Sequence, residues 1–251
     1  MPPKRKRKDK DGGAVGDSTS VTPRFKRTKE VDTDINVIIG MTGSVASIKA
    51  GELITKLAYL AGPYLPSLKV VATKAAKHFF NWEELKKDLS SPEIGFHSDE
   101  EEWRDWKKVG DPVLHIELRR WADILVIAPC SANTLAKLAN GLCDDLLSCI
   151  VRAWDFKDPN KRLIIAPAMN TMMWESPFTQ KHLETLVELG GGTMDDQKRV
   201  QIIGPVEKTL ACGDVGNVAM ASPTDIARLV ADYRHAAKST RGLKALLKDY
   251  R

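Results

Sequence analysis

The chain of 251 residues is long enough for one domain with a full hydrophobic core, and it holds no apolar run near the roughly 20 residues that span a membrane. The charged N-terminus lacks the apolar stretch of a secretory signal. Of the net charge of +5, residues 1–30 carry +6 (ten Lys and Arg against four Asp and Glu), so residues 31–251 carry −1. A near-neutral body excludes nucleic acid as an expected partner.

Both ends of the chain are predicted to be tails around a central domain over residues 34–237. Residues 1–33 are polar and charged and hold too little apolar surface to fold, so we expect a disordered basic tail, with a second basic tail over 238–251. The basic run from Lys4 to Lys10 resembles a nuclear-localisation signal, although a solvated tail is the favoured explanation because such motifs are weak. We expect a cytoplasmic protein, with the tail as a candidate nuclear signal.

Cysteine usage agrees with a reducing compartment. The four cysteines have no paired metal-ligand spacing, so we predict neither a metal site nor disulfides. Cys130, Cys143 and Cys149 lie in apolar or helical surroundings, where buried structural thiols are expected. Cys212 differs, because Gly213 and Asp214 follow it in a loop-like segment.

Strands and helices are predicted to alternate through the central domain. The apolar runs predict strands at 35–40, 68–72, 124–128, 163–166 and 200–203. Helices are predicted at 45–60, 75–80, 82–87, 113–120, 131–140, 145–153, 177–189 and 224–237. Long loops are predicted at 88–111 and 205–221. Such alternation gives right-handed βαβ units, so we expect one three-layer α/β domain with a parallel sheet, flavodoxin- or Rossmann-like.

Small polar residues follow the predicted strands, at the edge where open α/β sheets bind ligands. Gly43-Ser44-Val45 lies between the first strand and a helix, where backbone N–H groups and a hydroxyl can hold an anion. The further glycines of a dinucleotide fingerprint are missing, which favours a single phosphate over a pyrophosphate. An ordinary tight turn explains these residues equally well.

Two further peptides follow buried strands, PCSANT at 129–134 and PAMNTMMW at 167–174. With Gly43–Ser47, the stretch 110–155 and LACGD at 210–214, they resemble the homo-oligomeric flavin-containing cysteine decarboxylases. The resemblance implies a flavin mononucleotide (FMN) site at Gly43, Ser44, Val45, Thr73, Lys74, Ala75, Ser131, Ala132, Asn133, Thr134 and Ala168.

The same resemblance implies three catalytic residues. His115 matches the active-site histidine of the family, Asn170 the residue that holds the substrate carboxylate, and Cys212 the proton donor of the last step. From the residues alone, a structural role is the favoured interpretation of His115, since a lone histidine among apolar residues is usually structural, and bracing a turn is an alternative role for Asn170. Met172 and Met173 are expected to pack rather than to react.

Members of the family that decarboxylate 4′-phospho-N-pantothenoylcysteine to 4′-phosphopantetheine, a step of coenzyme A synthesis, resemble the chain most. The implied route is flavin oxidation to a thioaldehyde, loss of CO₂ and re-reduction, in a homotrimer or a dodecamer of trimers. Fungal halotolerance relatives instead act as inhibitory subunits of a protein phosphatase; all three catalytic residues are present here, which favours the enzyme. Decarboxylation of peptide cysteines, as in lantibiotic maturation, fits the stretch 110–155 less well. Trp106 and the 88–111 loop are expected at an interface or over the flavin.

Overall fold

The computed structural model describes residues 35–60, 67–89, 94–209 and 215–234. A six-stranded sheet runs through its centre in the order β3-β2-β1-β4-β5-β6, and every neighbouring pair is parallel. The strands of this sheet are β1 Val37–Met41, β2 Leu68–Ala72, β3 Ile94–Ser98, β4 Ile124–Cys130, β5 Arg162–Pro167 and β6 Val200–Ile202. A separate antiparallel hairpin consists of β7 Val206–Thr209 and β8 Val215–Ala219.

Helices connect the strands. The α-helices are α1 Ala50–Leu60, α2 Trp82–Asp88, α3 Leu114–Trp121, α4 Ala132–Asn140, α5 Leu146–Arg152, α6 Thr171–Glu175, α7 Pro177–Leu189 and α8 over 223–234. Short 3₁₀ helices lie at Val45–Lys49, Ala76–His78 and Asp99–Glu101. Among the helices described, none is long and apolar enough to cross a bilayer.

The central strands are apolar along their whole length because both faces of the sheet are covered. Successive side chains of a strand point to opposite faces. In β1, Ile39 therefore joins the core under α1 and α8, whereas Ile38 joins the core under α3, α4, α5 and α7. Strand β4 divides in the same way between Val126 and Leu125. Two cores on one sheet make the three-layer α/β domain that the sequence predicts.

The strand order fixes where a ligand can bind. The chain moves outward from β1 to β2 and β3, then returns across the sheet to β4 on the other side of β1. This is the order of the Rossmann-like doubly wound fold, in which the crevice opens between the first and fourth strands at their carboxyl ends. The loops after β1 and β4 therefore face each other.

Two predicted loops are wrong in part. The segment 88–111 contains the edge strand β3, whose Gly95, His97 and Ser98 interrupt the apolar pattern that marks a strand. Since β3 pairs with β2 alone, backbone hydrogen bonds rather than burial on two faces define it. The segment 205–221 contains the β7–β8 hairpin, and the short helix α6 also escaped prediction.

Other boundaries agree within a few residues. The helix predicted at 45–60 begins as a 3₁₀ turn, and the element predicted at 75–80 is a 3₁₀ helix. Cys130 is buried as expected, but Cys143 is exposed and Cys149 is half-buried, so burial of all three thiols was wrong. The predicted tails, 1–33 and 238–251, lie outside the described residues.

Candidate functional site

The hydroxyl of Thr42 joins the two loops that form the crevice. Its side chain is fully buried, Oγ1 donates to the carbonyl of Pro129 at 2.8 Å, and Oγ1 accepts from the N–H of Ser131 at the same distance. The carbonyl of Thr42 also accepts from the Ser47 hydroxyl at 2.8 Å. One residue after β1 therefore sets the position of the loop after β4.

Gly43 and Ser44 line the first side of the crevice. A Cβ added at Gly43 would lie 2.7 Å from the Cβ of Ala75, so the turn after β1 can approach the turn after β2 this closely only with glycine. The Ser44 hydroxyl donates to the carbonyl of Ala168 at 3.2 Å and accepts from the N–H of Ala46 at 3.4 Å. The loops after β1, β2 and β5 thus meet at Gly43 and Ser44.

The second side is the N-terminus of α4. Ser131 caps this helix: its hydroxyl accepts from the N–H of Thr134 at 3.3 Å and donates to the Thr134 hydroxyl at 3.2 Å. Ala132 begins the helix and Asn133, in its first turn, is exposed. The cap holds the first turn of α4 toward the crevice, where helical N–H groups without a partner inside the helix are available to a ligand.

The turn after β2 completes this edge. Thr73 is buried, and its hydroxyl accepts from the N–H of Ala76 at 3.3 Å. The N–H of Lys74 donates to the Asp99 carboxylate at 3.2 Å, and the same carboxylate accepts from the N–H of Leu146 at 3.0 Å. Burial raises the pKa of Asp99. The backbone N–H of Lys74 is therefore taken up by the protein, and its exposed side chain remains for a ligand.

Asn170 lies at the end of the loop that carries Ala168. Its Oδ1 accepts from the N–H of Met173 at 2.9 Å and so caps α6. With the oxygen used in the cap, the amide nitrogen Nδ2 is left as a donor on an exposed side chain. Met172 and Met173 are 75% and 50% exposed, so the packing expected of them does not occur within this chain.

His115 belongs to a second cluster, at the start of α3. Its Nδ1 lies 2.7 Å from Oε1 of Glu102, and the two side chains are 19% and 8% exposed. A carboxylate oxygen accepts, so Nδ1 carries the hydrogen of this bond. The Trp103 ring meets the imidazole edge to face, with 6.3 Å between ring centroids. Trp103 itself is 57% exposed, and Trp106 is 39% exposed.

The Cys149 thiol also belongs to this cluster. Burial, together with the negative charge of Glu102, raises the pKa of Cys149 to about 12. The thiol therefore keeps its proton at neutral pH and donates to the carbonyl of Cys143 at 3.3 Å. Burial likewise raises the pKa of Cys130 to about 12, so neither thiol is a nucleophile here.

The structure thus brings the predicted residues together in two groups. The loops after β1, β2, β4 and β5 form one crevice, and Asn170 stands at its rim. Within the described residues, no hydrogen bond or ion pair joins His115 directly to a crevice residue or to Asn170; its link to the crevice is indirect, through Glu102 and Asp99 to the N–H of Lys74. Cys212 lies outside the described residues, between strands β7 and β8, and β8 contacts α6.

Comparison with known proteins agrees with this geometry. The family model described as Flavoprotein matches residues 25–235. The chain belongs to the flavoprotein family.

Curated proteins and solved structures are similar to this chain over about four fifths of its length. Phosphopantothenoylcysteine decarboxylase of Arabidopsis thaliana is 49% identical over 205 residues, which cover 80% of this chain and 87% of the relative. The enzyme of that name from Oryza sativa subsp. japonica is 50% identical over 190 residues, covering 76% of each chain. The solved structure of a PPC decarboxylase mutant complexed with pantothenoylaminoethenethiol is 48% identical, covers 78% of this chain and 96% of its own, and has a TM-score of 0.66. The solved structure of the FMN-binding protein AtHal3 is 47% identical, covers 81% of this chain and 98% of its own, and has a TM-score of 0.66.

The crevice fits the phosphate of a flavin mononucleotide. Two helices begin at the crevice, one at Val45 on its first side and one at Ala132 on its second. The N–H groups of their first turns that have no partner inside the helix, and the helix dipoles, favour an anion. Of the eleven predicted crevice residues none is acidic, and Lys74 adds a positive charge. The close contact between Gly43 and Ala75 holds the turns after β1 and β2 together at this edge of the sheet.

Sequence reasoning missed Thr42 and Glu102. Thr42 directly follows a buried strand and precedes Gly43. This position indicates a loop residue, but it does not indicate which residues the Thr42 hydroxyl would bond. Glu102 lies in an acidic segment in which no single carboxylate stands out. Their roles depend on contacts 87 to 89 residues apart for Thr42 and 13 residues apart for Glu102.

Replacing Thr42 by Val should loosen the crevice. Val has nearly the same shape but leaves the carbonyl of Pro129 and the N–H of Ser131 buried and unpaired, at a cost of about 1–3 kcal/mol. We expect a lower urea midpoint and weaker FMN binding in a flavin fluorescence titration. Thr42→Ser keeps both hydrogen bonds and is the matched control. Equal stability and flavin affinity of the two variants would disprove the role of this hydroxyl.

Proposed function

We propose that this protein is an FMN-dependent phosphopantothenoylcysteine decarboxylase, which forms 4′-phosphopantetheine and CO₂. The observation that carries the proposal is the crevice at the β1–β4 switch point, with Asn170 at its rim, in a chain 49% identical to a decarboxylase of that name. The relative structure that contains pantothenoylaminoethenethiol supports the same substrate class.

FMN, when bound, supplies the two-electron oxidation of the substrate's CH₂–SH group, which gives the departing carboxylate an electron sink, and returns the electrons at the end. The protein's part is to hold the substrate and to move protons. The Nδ2 hydrogens of Asn170 bind the substrate carboxylate, because Oδ1 is held by the N–H of Met173 and the amide is thereby oriented. The bound carboxylate in turn holds, over the crevice, the carbon–carbon bond that breaks when CO₂ leaves.

His115 and Cys212 are assigned to proton transfer. The hydrogen bond from Nδ1 of His115 to Glu102 leaves Nε2 as the ring nitrogen that can accept the proton of the substrate thiol. Cys212 donates the proton that completes the product. Support for Cys212 comes from the LACGD motif and from the contact of β8 with the helix that Asn170 caps.

The two clusters of the site support a homotrimer in which neighbouring copies complete each other. Exposed apolar side chains accompany each cluster: Trp103 beside His115, and Met172 in the helix that Asn170 caps. Exposed apolar groups of this size mark contacts between proteins. Joining two copies at these surfaces would bring His115 of one copy to Asn170 of another.

The enzymatic function predicts a yellow protein that releases CO₂ and 4′-phosphopantetheine from phosphopantothenoylcysteine without air. The absorbance spectrum reports the flavin, and mass spectrometry reports the product. A yellow protein that leaves the substrate intact would refute the enzyme and favour the regulatory role, in which a protein phosphatase catalytic subunit is the partner. A colourless protein that takes up no added FMN would refute the flavin site.

Asn170→Asp should abolish catalysis without unfolding the site. Aspartate caps a helix as well as asparagine does, so α6 should persist, but a carboxylate repels the substrate carboxylate instead of donating to it. We expect kcat/KM to fall about 10- to 150-fold from the lost hydrogen bond alone, since a hydrogen bond to a charged group contributes about 1.5–3 kcal/mol, and further from the repulsion between the two carboxylates. FMN content should stay at the wild-type level; an active variant would remove Asn170 from the mechanism.

Mixing two inactive variants tests the shared site. When His115→Ala and Asn170→Asp chains are co-expressed, some interfaces combine an intact His115 with an intact Asn170 from the other chain. We expect partial recovery of activity in the mixed oligomer, and light scattering should give three times the mass of one chain. Each variant alone is the control. An inactive mixed trimer would show that both residues serve a site within one chain.

A further inference from the structure

A buried carboxylate stands directly behind His115. Oε1 of Glu102 lies 2.7 Å from Nδ1 of the imidazole, and Glu102 is 8% exposed. We propose that Glu102 is a positioning residue for His115, which fixes the ring in one tautomer and one orientation so that Nε2 is the base. The inference rests on the proposed catalytic role of His115.

The fold holds Glu102 in place through Asp99. The N–H of Glu102 donates to the carbonyl of Asp99 at 3.2 Å and ends the 3₁₀ helix Asp99–Glu101. The Asp99 carboxylate is in turn anchored to the N–H groups of Lys74 and Leu146, so this short helix is tied to the turn after β2 and to α5. Glu102 therefore follows a short segment whose first residue, Asp99, is anchored to two neighbouring elements.

The pairing with His115 is specific within a run of acidic residues. Glu100 pairs with Lys77 at 2.8 Å, and Glu101 pairs with His97 at 3.3 Å. Glu102 turns inward and is the most buried of the three, since the side chains of Glu100 and Glu101 are 64% and 23% exposed. A buried carboxylate is costly unless it is hydrogen-bonded, so the contact with His115 is part of what keeps this side chain inside.

The neighbouring thiol favours the same arrangement. The negative charge of Glu102 helps to raise the pKa of Cys149, and the protonated thiol lies next to the carboxylate without adding a second charge. Glu102, His115 and Cys149 place their ligand atoms within 4.8 Å of one another, as metal ligands would. However, 2.7 Å between Nδ1 and Oε1 is a hydrogen-bond distance and is shorter than the roughly 3.3 Å between two ligands of a tetrahedral zinc ion.

The chemical consequence concerns the tautomer. A neutral imidazole has one donor and one acceptor nitrogen, and the partner of one nitrogen decides the state of the other. With Nδ1–H held by Glu102, Nε2 presents its lone pair on a side chain that is 19% exposed. Without the carboxylate, the ring can rotate and exchange tautomers, and part of the population would present a donor where a base is needed.

The test uses full-length, FMN-loaded protein with histidine labelled with ¹⁵N. Glu102→Ala should lower kcat about 10- to 100-fold with little change in KM, as loss of the partner of a functional histidine does elsewhere. The ¹⁵N spectrum should show His115 leaving the Nδ1–H tautomer, with its signals assigned by their absence in His115→Ala. Glu102→Asp, which keeps a carboxylate, should recover part of kcat and part of the Nδ1–H tautomer of His115. Glu101→Gln, which breaks the adjacent pair with His97, is the matched control and should leave kcat and the His115 tautomer unchanged.

The outcomes separate this inference from the function on which it rests. If His115→Ala stays active, the catalytic role of His115 is wrong and the positioning role falls with it. If His115→Ala is inactive while Glu102→Ala keeps the wild-type kcat or the wild-type tautomer, only the positioning role is overturned. Loss of bound FMN in Glu102→Ala would also overturn it, because Glu102 would then support the fold rather than the histidine.

Discussion

The two hydrogen bonds of the Thr42 hydroxyl are the constraint on which the crevice depends. They connect the end of β1 to the loop after β4 across the switch point of the sheet, where no strand pairing continues. Because the side chain is fully buried, neither partner can turn to water instead. The two helix N-termini at the crevice therefore keep a fixed separation, which a phosphate site built on backbone N–H groups would require.

Around this fixed centre, most of the site's hydroxyls already serve the protein. The hydroxyls of Ser44, Thr73 and Ser131 form hydrogen bonds that cap helices or join loops. The groups left for a ligand are backbone N–H groups and the exposed side chains of Lys74 and Asn133. Such a division gives a rigid cradle, in which binding a cofactor costs little ordering of side chains.

The chemistry beyond the cradle is divided between two clusters that do not touch within the described residues of one chain. Asn170 and His115 share one arrangement: a protein partner, the Met173 N–H or the Glu102 carboxylate, holds one polar atom, and the other polar atom is the one proposed to meet the substrate. When a protein partner holds one polar atom of a side chain, the other polar atom has a fixed direction as well as a fixed role as donor or acceptor. The exposed tryptophans and methionines beside these residues suit a site that is completed by another copy.

The sequence by itself determined the layered α/β class, most element boundaries and the loops of the crevice. Continuous apolar runs are unambiguous where both faces of a strand are buried, and small polar residues after such strands mark the ligand edge. The same logic failed for β3, an edge strand with Gly95 and His97 in it, and for the β7–β8 hairpin. Neither has the pattern of a buried strand, so only backbone pairing reveals them.

The tertiary structure alone decided which side chains act together. Thr42 meets Pro129 and Ser131 because β1 and β4 become neighbours only through the crossover of the sheet. Likewise, Glu102 is one of several similar carboxylates in the sequence until the Asp99 anchors turn it toward α3. Residue types and their order fix local structure, whereas a hydrogen bond between distant residues depends on where the whole chain places both partners.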